Sequence, residues 1–166
     1  QQLQRPGLVS QVLAALRLHN VPADMLDLEM TESSLMENVQ WIQLTLAKLK
    51  ALGIRLSLDD FGTGYSSLAY LKQFPIDKLK IDQRFVRGLP LDADDAAIAH
   101  AIITLAHQLR MQVAAEGVEN EEQAVFLGGM GCDELQGNHL GPALPLHDAE
   151  KHFPVSKPTS GANNPD

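Results

Sequence analysis

The chain has little cysteine, little positive charge and no long apolar run, and each shortage excludes a class of protein. Its 166 residues include one cysteine, Cys132, so no disulfide can form within the chain and we expect a reducing compartment. Lys and Arg number 13 against 21 Asp and Glu, which gives a net charge of -8. This excess of acid disfavours general binding of nucleic-acid polymers or anionic membranes.

Targeting and cofactor signals are missing as well. No apolar run is long enough to span a bilayer and no signal peptide is recognisable, so we expect a cytoplasmic protein or the cytoplasmic domain of a membrane-anchored one. No Gly-x-Gly-x-x-Gly follows a predicted strand, which disfavours that type of dinucleotide site. The length suits one domain, and 45% hydrophobic residues suffice for a core. A start at Gln1 rather than methionine suggests a piece of a longer protein.

Strand-like and helix-like segments alternate along the chain. Short strand-like runs predict strands at residues 25–30, 54–58, 78–81, 112–115 and 133–136. Helical apolar spacing occurs at residues 8–18, 35–49, 66–74, 98–109 and 120–130. This alternation predicts an α/β fold with a parallel sheet, either an open doubly wound sheet or a (β/α) barrel. The tail at 154–166 is rich in Pro, Ser, Asn and Gly, which predicts a disordered segment.

Charged and amide side chains gather at the carboxyl ends of the predicted strands. They are Glu29, Glu32, Asp59, Asp60, Lys80, Glu116, Glu119 and Gln136. In a (β/α) barrel all of these ends open onto one face, so the pattern predicts one acidic pocket with one lysine. Carboxylates are hard oxygen ligands, which favour Mg²⁺ or Mn²⁺ over zinc.

Asp59 and Asp60 are adjacent, which raises a geometric question. Neighbouring residues on a strand point to opposite faces, so both acids can serve one site only where the strand ends and the chain turns. Gly62 and Gly64 permit such a turn.

Simpler roles are open for several of these residues. Glu32 could cap the following helix, and Asp59 and Asp60 could lie in a solvated loop. Lys80 could face solvent, or it could form a Schiff base, although neighbouring carboxylates favour a charged, non-nucleophilic lysine. Glu116 and Glu119 could belong to a surface turn.

Five stretches together resemble the EAL family of cyclic di-GMP phosphodiesterases. In the family's order they are Leu-Glu-Met-Thr-Glu-Ser (28–33), Asp-Asp-Phe-Gly-Thr-Gly-Tyr-Ser-Ser-Leu (59–68), Lys-Leu-Lys-Ile-Asp (78–82), Ala-Glu-Gly-Val-Glu (115–119) and Gln-Gly (136–137). The resemblance covers about residues 1–145. It implies a TIM-like (β/α) barrel at 1–153 that hydrolyses cyclic di-GMP to linear pGpG in bacterial signalling.

The resemblance also implies roles for individual residues. Glu29 and Asp59 would bind one metal ion, and Asp59, Asp60 and Glu116 a second, in a two-metal site for Mg²⁺ or Mn²⁺. Lys80 would position or polarise the attacking water, and Glu116 is a candidate general base.

Further residues would support this site. Glu32 would anchor the loop that contains Gly62, Thr63 and Gly64, a loop that also contributes to dimerisation, so a homodimer is expected. Glu119 and Gln136 would lie around the metal–substrate pocket.

The chain also departs from the family. The Glu-Ala-Leu segment and a later asparagine, both metal ligands, would lie before Gln1, so the chain resembles the C-terminal two-thirds of an incomplete barrel and is expected to be inactive alone. A sensory or diguanylate cyclase (GGDEF) domain would precede it. Asn138 and Pro142 stand in a loop where the family has an aromatic and a basic residue. A cyclic di-GMP sensor without catalysis, or a module for dimerisation, is the alternative.

Overall fold

The computed structural model describes residues 3, 5–36, 38–62 and 71–152. Within them the strands are β1 (Asp27–Thr31), β2 (Arg55–Phe61), β3 (Lys78–Ile81), β4 (Gln112–Ala115) and β5 (Glu134–Leu135). The helices are α1 (Leu8–Leu18), α2 (Glu32–Leu35), α3 (Val39–Ala51), α4 (Gln83–Val86), α5 (Ala93–Gln108), α6 (Glu121–Gly129) and α7 (Leu146–His152). None of the described helices is both long and apolar enough to cross a membrane.

The five strands form one parallel sheet whose spatial order is the chain order. A doubly wound sheet reverses its strand order at a switch point, and this sheet does not. Lys78 of β3 shows that the sheet also curls, because its Nζ lies 3.4 Å from Asp27 Oδ2 on β1 and 2.6 Å from Glu134 Oε2 on β5. Neighbouring strands are ~4.8 Å apart, so one ammonium group reaches both outer strands only across a concave face. The fold is therefore a partial (β/α) barrel, as predicted.

The core lies between the convex face of the sheet and the helices. Side chains alternate along a strand, and in β3 Leu79 and Ile81 are fully buried on the helix side while Lys78 and Lys80 point to the concave side. On α3 the apolar residues Ile42, Leu46 and Leu49 recur every three to four positions and are fully buried. The helices thus hold the strands from outside and leave the concave face to charged residues.

The predicted bounds are confirmed for α1, β3 and β4 and need correction elsewhere. β1 begins at Asp27 because residues Ala23–Met25 form a 3-10 turn. The helical pattern at 35–49 belongs to two helices, α2 and α3, and α3 begins after its cap, Asn38. β2 runs on to Phe61.

One further helix starts earlier than predicted, and two predicted segments fall largely or wholly outside the described residues. α5 begins at Ala93, five residues earlier than predicted, because Asp92 accepts hydrogen bonds from the backbone N–H groups of Asp94 and Asp95. The helix predicted at 66–74 falls largely on residues 63–70, and the tail at 154–166 also lies outside the described residues.

Candidate active site

Lys80 is the centre of an acidic cluster at the carboxyl ends of the strands. Its Nζ lies 2.7 Å from Glu29 Oε1 and 3.8 Å from Asp59 Oδ1, and it forms a short ion pair with Glu116. These acids come from β1, from β2 and from the residue after β4. Residues far apart in sequence therefore meet at one point, as the strand-end pattern predicted. Lys80 is only 4% exposed, so the solvent-facing alternative is wrong.

The protonation of Lys80 follows from these contacts. Burial by itself would lower the pKa of the ammonium group, but hydrogen bonds to Glu116 and Glu29 outweigh it and raise the pKa of Lys80 above its ordinary value. Lys80 is consequently a fixed cation and hydrogen-bond donor near neutral pH. A Schiff-base role, which needs a neutral amine, is disfavoured.

A β-bulge brings Asp59 and Asp60 to the same region. Leu58 pairs with Leu79 and Phe61 with Ile81, so β2 has one residue more than β3 between these points. Asp60 has a φ of 55°, which is left-handed, and its N–H donates to Asp59 Oδ1. The strand was expected to end at these two acids, and the structure corrects this point. β2 continues, and the bulge redirects the side chain, as bulges at barrel rims commonly do.

Asp82 contacts Asp60, and the sequence analysis assigned no role to it. The carboxyl group of Asp60 hydrogen-bonds Asp82, and burial, followed by the charges of Asp59 and Asp82, raises the pKa of Asp60. For Asp82, burial acts in the same direction, but hydrogen bonds from Arg84 prevail and lower the pKa of Asp82. Asp82 directly follows β3 and caps α4 through the Arg84 N–H, at 2.7 Å. The sequence signal that could have identified Asp82 is its position, because it is a polar residue between the end of a strand and the start of a helix.

Glu32 supports the turn after the bulge. It is 4% exposed and one of its carboxylate oxygens accepts a hydrogen bond from the Gly62 N–H at 3.3 Å. Gly62 has a φ of 94°, a conformation that favours glycine. Glu32 thus holds the backbone at Gly62, and no side-chain capping bond is found at the start of α2. Thr63 and Gly64 lie outside the described residues.

Glu119 and Gln136 lie at the same rim but outside the Lys80 cluster. Both residues are exposed. The Glu119 N–H donates to Gln123 Oε1 at 2.8 Å. Gln136 joins two segments through its backbone, since its N–H donates to Ala115 O and its carbonyl accepts from the Val118 N–H. Their side chains are therefore available to a ligand, whereas their backbones hold the rim in place.

A second group of charges lies below the first on the concave face. Lys78 is two residues before Lys80, and its partners Asp27 and Glu134 are two residues before Glu29 and Gln136. Ser57 Oγ also donates to Asp27 Oδ1 at 2.6 Å. Sequence reasoning missed this group, although charges repeating at a spacing of two in β1, β3 and β5 were its signal.

The cluster has the donor chemistry for a divalent metal ion. Carboxylate oxygens suit Mg²⁺ or Mn²⁺, and three of them already approach one cationic group. In the described part of the chain, no three acidic, histidine or cysteine side chains are placed to hold a metal ion by themselves. The ammonium group of Lys80 provides the positive charge in this arrangement.

Comparison with known proteins gives consistent matches. The family model described as the EAL domain matches residues 1–143. A curated relative, the bifunctional diguanylate cyclase/cyclic di-GMP phosphodiesterase MucR of Pseudomonas aeruginosa, is 46% identical over 144 residues, which are 87% of this chain and 21% of that protein. The chain thus spans about a fifth of the length of the curated relatives it matches.

Solved structures agree in fold. The PaMucR phosphodiesterase in complex with c-di-GMP superposes with a TM-score of 0.85 at 45% identity, over 89% of this chain and 60% of that chain. Klebsiella pneumoniae BlrP1, in a manganese/cy-diGMP complex, has a TM-score of 0.76 at 30% identity, over 82% of this chain and 35% of that chain.

Proposed function

Because the chain belongs to the EAL domain family, we propose that it is part of a metal-dependent phosphodiesterase domain that hydrolyses cyclic di-GMP to linear 5′-pGpG. The convergence of Glu29, Asp59 and Glu116 on Lys80 carries this proposal. A barrel rim with three carboxylates and a permanently charged lysine is suited to a phosphodiester, provided that cations offset the negative charge. The name of MucR and the ligand of PaMucR support cyclic di-GMP as the substrate.

In the proposed assignment four acids would hold two metal ions. Glu29 and Asp59 would bind one ion, and Asp59, Asp60 and Glu116 would bind the second. Bound there, Mg²⁺ or Mn²⁺ would place positive charge against the phosphodiester and make water more acidic. The manganese/cy-diGMP complex of BlrP1 supports a divalent ion beside such a ligand.

The chain's own residues have distinct tasks in this proposal. Lys80 donates hydrogen bonds at Nζ and orients the attacking water or a phosphate oxygen. Glu116 accepts the proton of that water, since its carboxylate is next to Lys80 Nζ. Asp82 holds the carboxyl group of Asp60, and Glu32 holds the Gly62 N–H.

The domain boundaries and partners are part of the same proposal. Residues 1–153 would be the C-terminal two-thirds of a barrel that upstream strands complete, and 154–166 a disordered tail. Within the described residues β1 pairs only with β2, so its other edge is available to a further strand. The Glu29 side chain on that edge is 52% exposed, which leaves space for the missing ligands. We further propose a cytoplasmic homodimer with a sensory or GGDEF domain upstream.

Hydrolysis by the complete domain tests the proposal directly. Cyclic di-GMP is incubated with Mg²⁺, Mn²⁺ or EDTA, and pGpG is measured by chromatography. We expect product with either ion, none with EDTA, and a fall of roughly 10²–10⁴-fold in rate for Glu116→Gln. Glu122→Gln is the matched control because Glu122 is an exposed glutamate on α6.

The same assay separates the two candidate functions. Residues 1–166 alone are expected to give no turnover, and measurable turnover by them would contradict the incomplete-site argument. If the complete domain binds cyclic di-GMP with metal present but releases no pGpG, the chain belongs to a sensor instead of an enzyme.

A further inference from the structure

An apolar groove, here called the α6 groove, lies on the helix side of the sheet between the turn before α5 and the helix α6. It is lined by Pro90, Glu121, Glu122, Val125 and Phe126. Its volume is about 370 Å³. Val125 is 64% exposed, and Leu91, beside Pro90 in the chain, is 91% exposed. Exposed apolar surface that is bordered by polar residues commonly marks an interaction site. No residue of the groove belongs to the Lys80 cluster, so the groove is separate from the proposed catalytic machinery.

The α6 groove would stay open in a complete barrel. In the chain α4 and α5 lie between β3 and β4, and α6 lies between β4 and β5. In a (β/α) barrel each connecting helix packs outside the strands that it joins. Helices contributed from upstream would therefore pack beyond β1 and β5, away from the turn before α5. An occupant of the groove has to be a different segment.

Buried Gln123 fixes the two walls of the groove. It is 2% exposed, and its Nε2 donates to the carbonyls of Val86 and Arg87 at 3.2 and 3.4 Å. Its backbone N–H donates to Asn120 Oδ1 at 2.9 Å, at the start of α6. Arg87 leads directly into the turn that contains Pro90. One residue thus ties this turn to the first turn of α6, so the width of the groove is set before any partner binds.

The borders of the groove are strongly acidic. Residues 88–99 and 119–130 contain no lysine or arginine but six acids: Asp92, Asp94, Asp95, Glu119, Glu121 and Glu122. Acids in a first turn stabilise a helix through its dipole, which accounts for their positions in α5 and α6 but not for the apolar groove beside them. Glu121 pairs with His139 at 3.0 Å. In the described part of the chain, the carboxylate of Glu122 has no hydrogen-bond or ion-pair partner.

Two glycines continue this surface along α6. Glu122, Val125 and Gly129 follow one another at helical spacing and lie on one face of the helix. A Cβ at Gly128 or Gly129 would meet nothing within 4 Å, and neither glycine has a left-handed φ. Glycine disfavours a helix relative to alanine, and internal packing gives no reason for it here. Close approach of another backbone to this face does give a reason.

We propose that the α6 groove is the docking site of a cationic amphipathic helix of a protein partner. Apolar side chains on one face of such a helix would enter the groove beside Val125 and Phe126, and flanking Lys or Arg would meet Glu122 and its acidic neighbours. A second copy of this chain would bring the same acids to the contact, and an anionic membrane would be repelled. This inference goes beyond hydrolysis and does not rest on it.

Fluorescence anisotropy with a synthetic helix tests the proposal. The probe is a labelled peptide of ~14 residues in which Leu and Lys give one apolar and one cationic helix face. It is titrated with the complete domain in the absence of dinucleotide, so the result is independent of the hydrolase proposal. We expect a Kd of ~1–50 μM, weakened at least ~5-fold by Val125→Ser and by Glu122→Lys. Leu44→Ser on α3 and Asp24→Lys before β1 change exposed residues elsewhere and are the matched controls.

Two further peptides test what the groove recognises. A peptide of the same composition in scrambled order lacks the apolar face, and a Leu–Glu version has the opposite charge. Both are expected to bind at least ~10-fold more weakly than the probe. Equal binding of the scrambled peptide would show diffuse attraction of charge and overturn the proposal. Equal binding of the Leu–Glu peptide would show apolar contact without a preference for cations and overturn it as well.

The variants decide whether the groove is the place of binding. No binding of the probe, or binding that Val125→Ser and Glu122→Lys leave unchanged, would contradict the proposal. If the probe does not bind and light scattering shows a dimer that Val125→Ser dissociates, the groove holds a second copy instead. Circular dichroism checks that each variant is folded, and Val125→Thr, which is closer in shape to valine, replaces Val125→Ser if that variant unfolds.

Discussion

Lys78 and Lys80 provide a matched pair of substitutions that separates chemistry from stability. Both are on β3, both point to the concave face, and both ammonium groups join acids from different strands. Only Lys80 lies at the carboxyl end, where we place the reaction. We expect Lys80→Met to reduce kcat by ~10²–10³-fold, the usual effect of losing one donor to a developing charge, and Lys78→Met to leave kcat within ~3-fold.

The two substitutions should cost similar stability. Removing one partner of a fully buried ion pair costs ~3–5 kcal/mol. The Lys78 side chain is 10% exposed, but its partners Asp27 and Glu134 are 26% and 45% exposed and can turn toward water. We therefore expect a loss of ~2 kcal/mol for Lys78→Met, which corresponds to ~4–8 °C in Tm for a chain of this size. Lys80 has the same kind of partly exposed partners, so its substitution should fall in the same range.

Urea denaturation gives the free energy of unfolding, and initial rates of pGpG formation give kcat for the complete domain. Rates are compared at a temperature where all variants are folded. Lys48→Met, on the exposed face of α3, is the control and should change neither quantity. The reasoning fails if Lys78→Met lowers kcat more than ~10-fold, or if Lys80→Met lowers it less than ~3-fold.

Other residues give predictions of their own. Glu32→Gln keeps the size of the side chain but weakens the hydrogen bond to the Gly62 N–H. We therefore expect kcat to fall ~10-fold while the free energy of unfolding changes by less than ~1.5 kcal/mol. An unchanged kcat would contradict a loop-anchoring role for Glu32. For Asp133, burial raises the pKa, but hydrogen bonds from His107 and the Val113 N–H prevail and lower it. Because the folded-state pKa of Asp133 is lowered, its carboxylate stabilises the folded protein above pH ~4. Asp133→Ala should therefore lower the free energy of unfolding by ~0.5–1 kcal/mol at pH 7, and by progressively less as the pH falls below 4. A loss of stability that is constant with pH would contradict this. Partial burial raises the pKa of Cys132 to about 11, so iodoacetamide should modify it roughly 100-fold more slowly at pH 8 than a free thiol, and equal rates would contradict its half-buried position.

The sequence predicts elements well where burial controls the pattern. β3 and β4 were predicted residue for residue because the fully buried side chains Leu79, Ile81 and Val113 lie within short strand-like runs. α6 was predicted from its cap, and Asn120 does accept from the Gln123 N–H at 2.9 Å. The start of α5 was missed because its first turn is acidic and exposed, so apolar spacing gives no signal there.

The site was predicted in outline for a related reason. The positions of charged residues at strand ends are enough to predict a shared rim, even when the side-chain positions are unknown. For this reason the sequence analysis grouped Glu29, Asp59, Lys80 and Glu116 together. The bulge in β2 was not predictable, since the left-handed backbone at Asp60 depends on pairing with a strand some 20 residues later. Asp82 was missed because its position after β3 indicates only a helix cap, whereas its contact with Asp60 is tertiary.

The backbone at Asp60 affects how mutational scans of this region should be interpreted. Side chains branched at Cβ are strained in a left-handed conformation by ~1–2 kcal/mol, whereas asparagine and glycine adopt it readily. Inactive valine or isoleucine variants at this position would report a displaced chain as much as a missing carboxylate. Asparagine is the informative replacement there, because it alters the charge and leaves the trace of the polypeptide intact.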